Sequence, residues 1–200
     1  MKKLLLIAAA VLSVVGAYAQ TIQSIEIGSQ VPMADVKMKS VDKKDISLGA
    51  ARTQYGLLVM FSCNTCPYVI KSQARTKEIM DYARGKGIGM VIINSNAAQR
   101  QGADSYDAMA RYAKKEGYKV PYVVDEASKV ADAFGATRTP EVFLFDGEGK
   151  LIYKGAMEDN PSDPSASTQM FLRSAIDNML AQKPIDPNST KSIGCTIKRS

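Results

Sequence analysis

At 200 residues, 46% hydrophobic and 23% charged, the chain has the material for one ordinary domain with a real core, and too little for two large ones. It contains no histidine, which excludes Ser–His–Asp and Cys–His catalysis, His-ligated zinc or haem and any imidazole base. The formal charge of +6 is spread without a long basic run, a balance that serves solubility rather than nucleic-acid binding.

Met1-Lys2-Lys3 followed by an apolar stretch from Leu4 to Ala17 reads as a signal peptide over residues 1–19. The stretch is shorter than the roughly 20 residues that cross a bilayer. Small residues at Ala17 and Ala19 predict cleavage between Ala19 and Gln20, and no cysteine follows to carry a lipid. The mature chain is then expected in a periplasm or outside the cell, where disulfides persist, with no membrane attachment after cleavage.

Residues 20–34 form a lead-in broken at Gly28 and Pro32. Val36–Ser40 and Asp45–Leu48 predict two short strands joined through Asp42-Lys43-Lys44. Leu57–Phe61 is a continuous apolar run, the pattern of a strand covered on both faces. Tyr68–Arg84 predicts a helix stopped by Gly85-Lys86-Gly87, and Ile88–Ile93 a second buried strand ended by Asn94-Ser95-Asn96. A helix over Asp104–Glu116, a short strand at Pro121–Val124 and a short helix over Glu126–Phe134 follow. Glu141–Phe145 and Leu151–Lys154 flank a glycine-rich turn and predict a hairpin. After a Pro/Asp/Ser-rich loop over Asp159–Ser165, a helix is expected from about Ser167 to Gln182, then an irregular tail over residues 183–200. Alternating strands and helices closed by a hairpin predict an α/β fold, a mixed sheet flanked by helices, in one domain over residues 20–200.

Two of the three cysteines stand as Cys63-Asn64-Thr65-Cys66 between a buried strand and a helix. The first is expected at the helix N-terminus, where unpaired N–H groups and the macrodipole favour a thiolate, the species that attacks disulfides. The second lies near enough to close an intramolecular disulfide, and Pro67 suits the first helical turn. Cys63 is thus the expected attacking thiol and Cys66 the resolving one, provided that Cys63 can be reached by a substrate. A structural disulfide closing so short a loop would contribute only about 2 kcal/mol. Zinc would want four N/S ligands, which three cysteines without histidine do not supply. A pair of buried inert thiols is the third alternative.

Phe61–Val69 resembles the active-site segment of thioredoxin-like, peroxiredoxin-related (redoxin) proteins. The likeness continues through Ile93–Asn96, Thr139–Phe145, Asp159-Asn160-Pro161 and Gly194–Lys198, roughly residues 26–198. It implies a thioredoxin-like fold with an N-terminal hairpin extension and an extra strand–helix unit before the proline strand. It also implies a cis Thr139–Pro140 bond facing the dithiol, with Thr139 positioning an extended substrate. The chain departs from thioredoxin in lacking a tryptophan before the first cysteine, a proline between the two, and an acidic residue within Leu57–Phe61. Glu141 is a candidate for the missing proton role, or a solvated strand-start carboxylate. Asn94, Ser95, Asn96 and Asp159 are candidates to line the site. Cys195, the odd thiol, is open to pairing with Cys63, to pairing between chains, or to simple packing.

The leading expectation is an exported thiol–disulfide oxidoreductase that exchanges with protein disulfides or dithiols and with a separate redox partner, without cofactor or metal. A thiol peroxidase is the nearest alternative. Peroxiredoxins carry Pro-x-x-x-Thr/Ser-x-x-Cys, whereas Gly56 and Met60 precede Cys63 at those positions. A copper(I) carrier built on the paired thiols is the non-enzymatic alternative.

Overall fold

A computed structural model describes residues 22–199, so the expected signal peptide and its cleavage position lie outside the described residues. A small antiparallel hairpin, β1 (Met38–Lys39) and β2 (Asp45–Ile46), comes first, shorter than its apolar pattern suggests, and α1 (Leu48–Ala51) follows, capped by the Ser47 hydroxyl. Then come β3 (Leu57–Ser62), α2 (Pro67–Lys71), α3 (Gln73–Gly85), β4 (Gly89–Asn94) and α4 (Tyr106–Glu116). The chain continues through β5 (Tyr122–Val124), α5 (Lys129–Phe134), β6 (Arg138–Thr139), β7 (Glu141–Phe145), β8 (Leu151–Gly155), α6 (Phe171–Leu180) and β9 (Cys195–Thr196).

The central sheet has five strands in the order β5-β4-β3-β7-β8. β3 runs parallel to β4 and antiparallel to β7, so it lies in the middle with both faces covered. Alternate side chains divide accordingly. Leu58 and Met60 pack with Ile79, Met80, Leu172 and Ile176 on one face; Leu57, Val59 and Phe61 pack with Phe134, Phe143 and Leu151 on the other. Phe61, Phe134 and Phe143 meet edge to face at centroid distances of 5.3, 5.7 and 5.1 Å. Each such side chain contributes about 1.5–3 kcal/mol by its burial. The unit β5–α5 is the extra strand–helix insertion, and β5 supplies the sheet edge.

Four elements differ from expectation for local reasons. The helix foreseen over Tyr68–Arg84 is two helices meeting at buried Ser72, whose backbone (φ −86, ψ 8) leaves the α region. The segment before α5 is a single 3-10 turn with positive φ at Ala127 and Ser128. The Asp125 carboxylate then starts α5 by accepting from the Val130 and Ala131 N–H groups at 2.9 Å each. α6 begins only at Phe171 because Ser167 and Thr168 donate their hydroxyls to Asp159 instead of entering the helix. The tail is not wholly irregular: β9 pairs antiparallel with β6, and Ile197 is buried with its N–H on the Thr137 carbonyl at 3.0 Å. Among the described residues no helix is long and apolar enough to cross a membrane.

Candidate active site

β3 delivers Cys63 at the end of the sheet, and Pro67 determines where the helix begins. Proline is at home in the first helical turn and forces the preceding residue into extended backbone. Cys66 (φ −66, ψ 124) is therefore the N-cap of α2, and Cys63 lies three residues further out in the loop. Cys66, not Cys63, thus occupies the helix terminus, a correction to the sequence expectation.

Both sulfurs converge on Thr139. Cys63 Sγ is 3.4 Å from Thr139 Oγ1, and the Cys66 thiol donates to the Thr139 carbonyl at 3.2 Å. The Thr139–Pro140 peptide bond is cis. The two thiols are free and almost fully covered, with Cys63 2% and Cys66 3% exposed. Cys63 is therefore less open than the sequence reading requires, because Tyr68, Val69 and Cys195 pack around the pair.

Two thiolates in contact repel, so the pair gives up its first proton easily and its second with difficulty. The contact with Cys63 pulls Cys66 down against its burial, helped by the Cys195 thiol and by the Val69 and Cys195 N–H groups. The contact with Cys66 and burial push Cys63 up, with the Asp104 charge adding to them. Thr139 works in the opposite sense. Its carbonyl accepts only from a protonated Cys66, and its hydroxyl can donate to a Cys63 thiolate. The single negative charge of the pair is thus shared between two proton arrangements, and Thr139 supports the one that charges Cys63.

Behind Cys63 lies a buried polar network of which the sequence singled out only Asn94 and Asn96. The Asp104 carboxylate accepts from the Asn64 N–H at 2.9 Å, Asn94 Nδ2 at 2.7 Å and Asn96 Nδ2 at 2.8 Å. Tyr122 donates its hydroxyl to Asn64 Oδ1 at 2.9 Å and accepts from Asn94 Nδ2 at 3.0 Å. Arg100 closes the network on the Asp104 and Asn94 carbonyls at 2.7 and 2.9 Å. Asn64 is the residue directly after Cys63, so this carboxylate holds the loop between the cysteines. The parallel register Ser62↔Asn94 brings the Asn94 loop alongside Cys63. The polar run after a fully apolar strand was the available signal; for Asp104 itself there was none.

The remaining candidates divide. Asn94 and Asn96 belong to the network, and Asn96 Oδ1 also accepts from the Lys198 N–H at 2.8 Å, fixing the segment beyond Cys195. Ser95 instead donates to Asp125 at 2.7 Å and helps shape the α5 start. Glu141 does not face the dithiol with its hydrogen bonds: Oε2 accepts from the Thr137 and Arg138 N–H groups at 2.8 and 3.0 Å. Burial pushes its carboxyl up and those two N–H groups pull it down, so it braces the turn that leads into Thr139. Asp159 is exposed and ties its own loop to Ser167, Thr168 and Gln169, whose bonds hold it well below the usual carboxylate range. Neither has a hydrogen bond to a cysteine among the described residues.

Cys195 stands opposite Thr139 in the β6–β9 pairing and packs against the cysteine cluster. A Cβ on the preceding Gly194 would run into the Thr139 carbonyl, so only glycine lets the two strands approach this closely. Among the described residues no group of three or more His, Cys, Asp or Glu side chains is placed to hold a metal ion.

The Redoxin family model matches residues 26–170. A crystal structure of an uncharacterised conserved protein from Geobacillus kaustophilus is 32% identical, covering 88% of this chain and 93% of that one with a TM-score of 0.79. A hypothetical protein from Sinorhizobium meliloti 1021 is likewise 32% identical, with 89% and 97% covered and a TM-score of 0.80. A thiol-disulfide oxidoreductase from Bacteroides fragilis NCTC 9343 shares the fold at 17% identity, with 66% and 93% covered and a TM-score of 0.54. No curated protein matches the chain.

Proposed function

The chain belongs to the Redoxin family, and on that premise we propose that it is an exported thiol–disulfide oxidoreductase working through the Cys63–Cys66 couple. The observation that carries this reading is the convergence of both sulfurs on Thr139, one at its hydroxyl and one at its carbonyl. The Cys63 thiolate attacks a sulfur of a substrate disulfide, and a mixed disulfide forms as the other substrate sulfur leaves. Cys66 then attacks Cys63 Sγ, closes the intramolecular disulfide and releases the reduced substrate. Thr139 assists both steps, by donating to the Cys63 thiolate and by holding the Cys66 proton until it is needed. Because the sulfurs are covered, a substrate must part Tyr68 and β9 from the pair before the first attack.

Equilibration in glutathione buffers, with thiols counted by maleimide mass shift, tests the couple, and insulin reduction tests the exchange. A two-electron transition lost in Cys66→Ser, with insulin reduction lost in Cys63→Ser, is the expected result. Rapid hydrogen peroxide consumption with negligible exchange would replace this reading by the peroxidase one. Stoichiometric copper(I) retention without exchange would replace it by the carrier one.

A further inference from the structure

The third thiol is neither buried like the other two nor remote from them. Cys195 is half-buried, whereas Cys63 and Cys66 are nearly closed off, so among the three cysteines it has the most solvent contact. It packs against the Cys63, Cys66 and Val69 cluster, close enough for the Cys66 thiol and the Tyr68 N–H at the start of α2 to act on its ionisation. Its backbone is fixed from both sides. Gly194 presses against Thr139, Ile197 is buried, and the Lys198 N–H and carbonyl bond to Asn96 and Ala98. Thr139 therefore has all three cysteines around it: Cys63 at its hydroxyl, Cys66 at its carbonyl and Cys195 as its cross-strand partner.

We propose that Cys195 is a third exchanging thiol, which takes the disulfide over from Cys63 through Cys66, so that the oxidised protein carries its bond as Cys63–Cys66 or as Cys66–Cys195. This deepens the proposed function and rests on it. In the exchange, the Cys195 thiolate attacks Cys66 Sγ. The Cys63–Cys66 bond breaks, the Cys66–Cys195 bond forms, and Cys63 leaves as a thiolate that takes up the proton released when Cys195 ionised. No electrons are gained or lost, and the oxidising equivalents that entered with the substrate disulfide remain in the protein. An external dithiol then attacks the half-exposed Cys195 sulfur, expels Cys66 and is itself closed to a disulfide by its second thiol, which restores free Cys195. Substrate thus meets the buried end of the chain of sulfurs and reductant meets the open end.

The full-length protein and its Cys63→Ser and Cys195→Ser variants are oxidised with glutathione disulfide, trapped with maleimide and mapped as non-reduced peptides. Cys63→Ser is expected to lose both remaining thiols and yield a Cys66–Cys195 linked peptide. Cys195→Ser is expected to close Cys63–Cys66, and the wild type to show both linkages. If Cys63→Ser keeps two free or singly glutathionylated thiols while Cys195→Ser closes, the relay is overturned and the Cys63–Cys66 reading stands. If Cys195→Ser fails to close as well, the underlying dithiol reading falls. The wild-type map guards against misfolded variants: oxidised wild type holding only Cys63–Cys66 across a series of glutathione ratios overturns the relay by itself.

Discussion

Replacing Asp104 by asparagine should loosen the loop between the cysteines and destabilise the whole protein. Oδ1 accepts from the Asn64 N–H and Asn94 Nδ2, and Oδ2 accepts from Asn96 Nδ2, all without access to water. An asparagine can keep its carbonyl where Oδ1 was, but its amide NH2 then faces the Asn96 NH2. One charge-assisted hydrogen bond is lost, about 1.5–3 kcal/mol, and a buried donor is left unpaired, about 1–3 kcal/mol more. A total of about 2.5–6 kcal/mol lowers the melting temperature of a chain this size by about 5–24 °C. The substitution also removes the negative charge that, after the Cys66 contact and burial, holds the Cys63 thiol up. Iodoacetamide labelling of Cys63 at neutral pH should therefore accelerate. Circular-dichroism melts and peptide mass mapping read the two effects. Asp107→Asn, at an exposed acid in the first turn of α4, is the control and should cost at most about 1 kcal/mol. A shift of less than about 3 °C with unchanged labelling would refute the reasoning that this carboxylate organises the loop.

Thr139→Val keeps the side-chain shape and the carbonyl but removes the hydroxyl beside Cys63; losing about 1 kcal/mol of thiolate stabilisation should slow disulfide exchange about fivefold, measured by stopped-flow with a small disulfide. Gly194→Ala drives a methyl group into the Thr139 carbonyl, so a loss of about 1–3 kcal/mol in denaturant melts and faster maleimide labelling of Cys195 are expected as β9 lifts. The Cys195 thiol is pushed up to about 11 by burial and by the Cys66 contact, against the pull of Lys198 and the Tyr68 N–H. Once Cys66 is held in the disulfide its thiolate no longer opposes Cys195 and burial alone holds that thiol up, so its thiolate fraction still rises with pH, and transfer of the disulfide from Cys63–Cys66 to Cys66–Cys195 should accelerate between pH 7 and 9 in quenched-flow mapping.

The core of the fold was legible because its cause is local. Leu57–Phe61 needs cover on both faces and reads as an inner strand, and Gly87 and Gly117, both at positive φ, follow closely on the ends of α3 and α4. The cysteine pair declared itself by its spacing, and Thr139–Pro140 through family likeness. Asp104 was illegible because its role depends on Asn64, Asn94 and Asn96, distant stretches brought together by the register of β3 and β4. The bracing bonds of Glu141 were hidden for a related reason: a carboxylate at a strand start gives no sign that two backbone N–H groups of the preceding turn will occupy it. The pairing of β9 with β6 involves two residues on each side, too few to leave a periodic trace.

Part of the cover over the cysteine pair is contributed by residues 194–198, far along the chain from the pair itself. Cys63 and Cys66 emerge well before residues 194–198, so a nascent molecule has its vicinal thiols open to any passing oxidant until Gly194 and Cys195 dock beside Thr139. Docking of this segment is thus also the moment at which the pair becomes selective about what it meets.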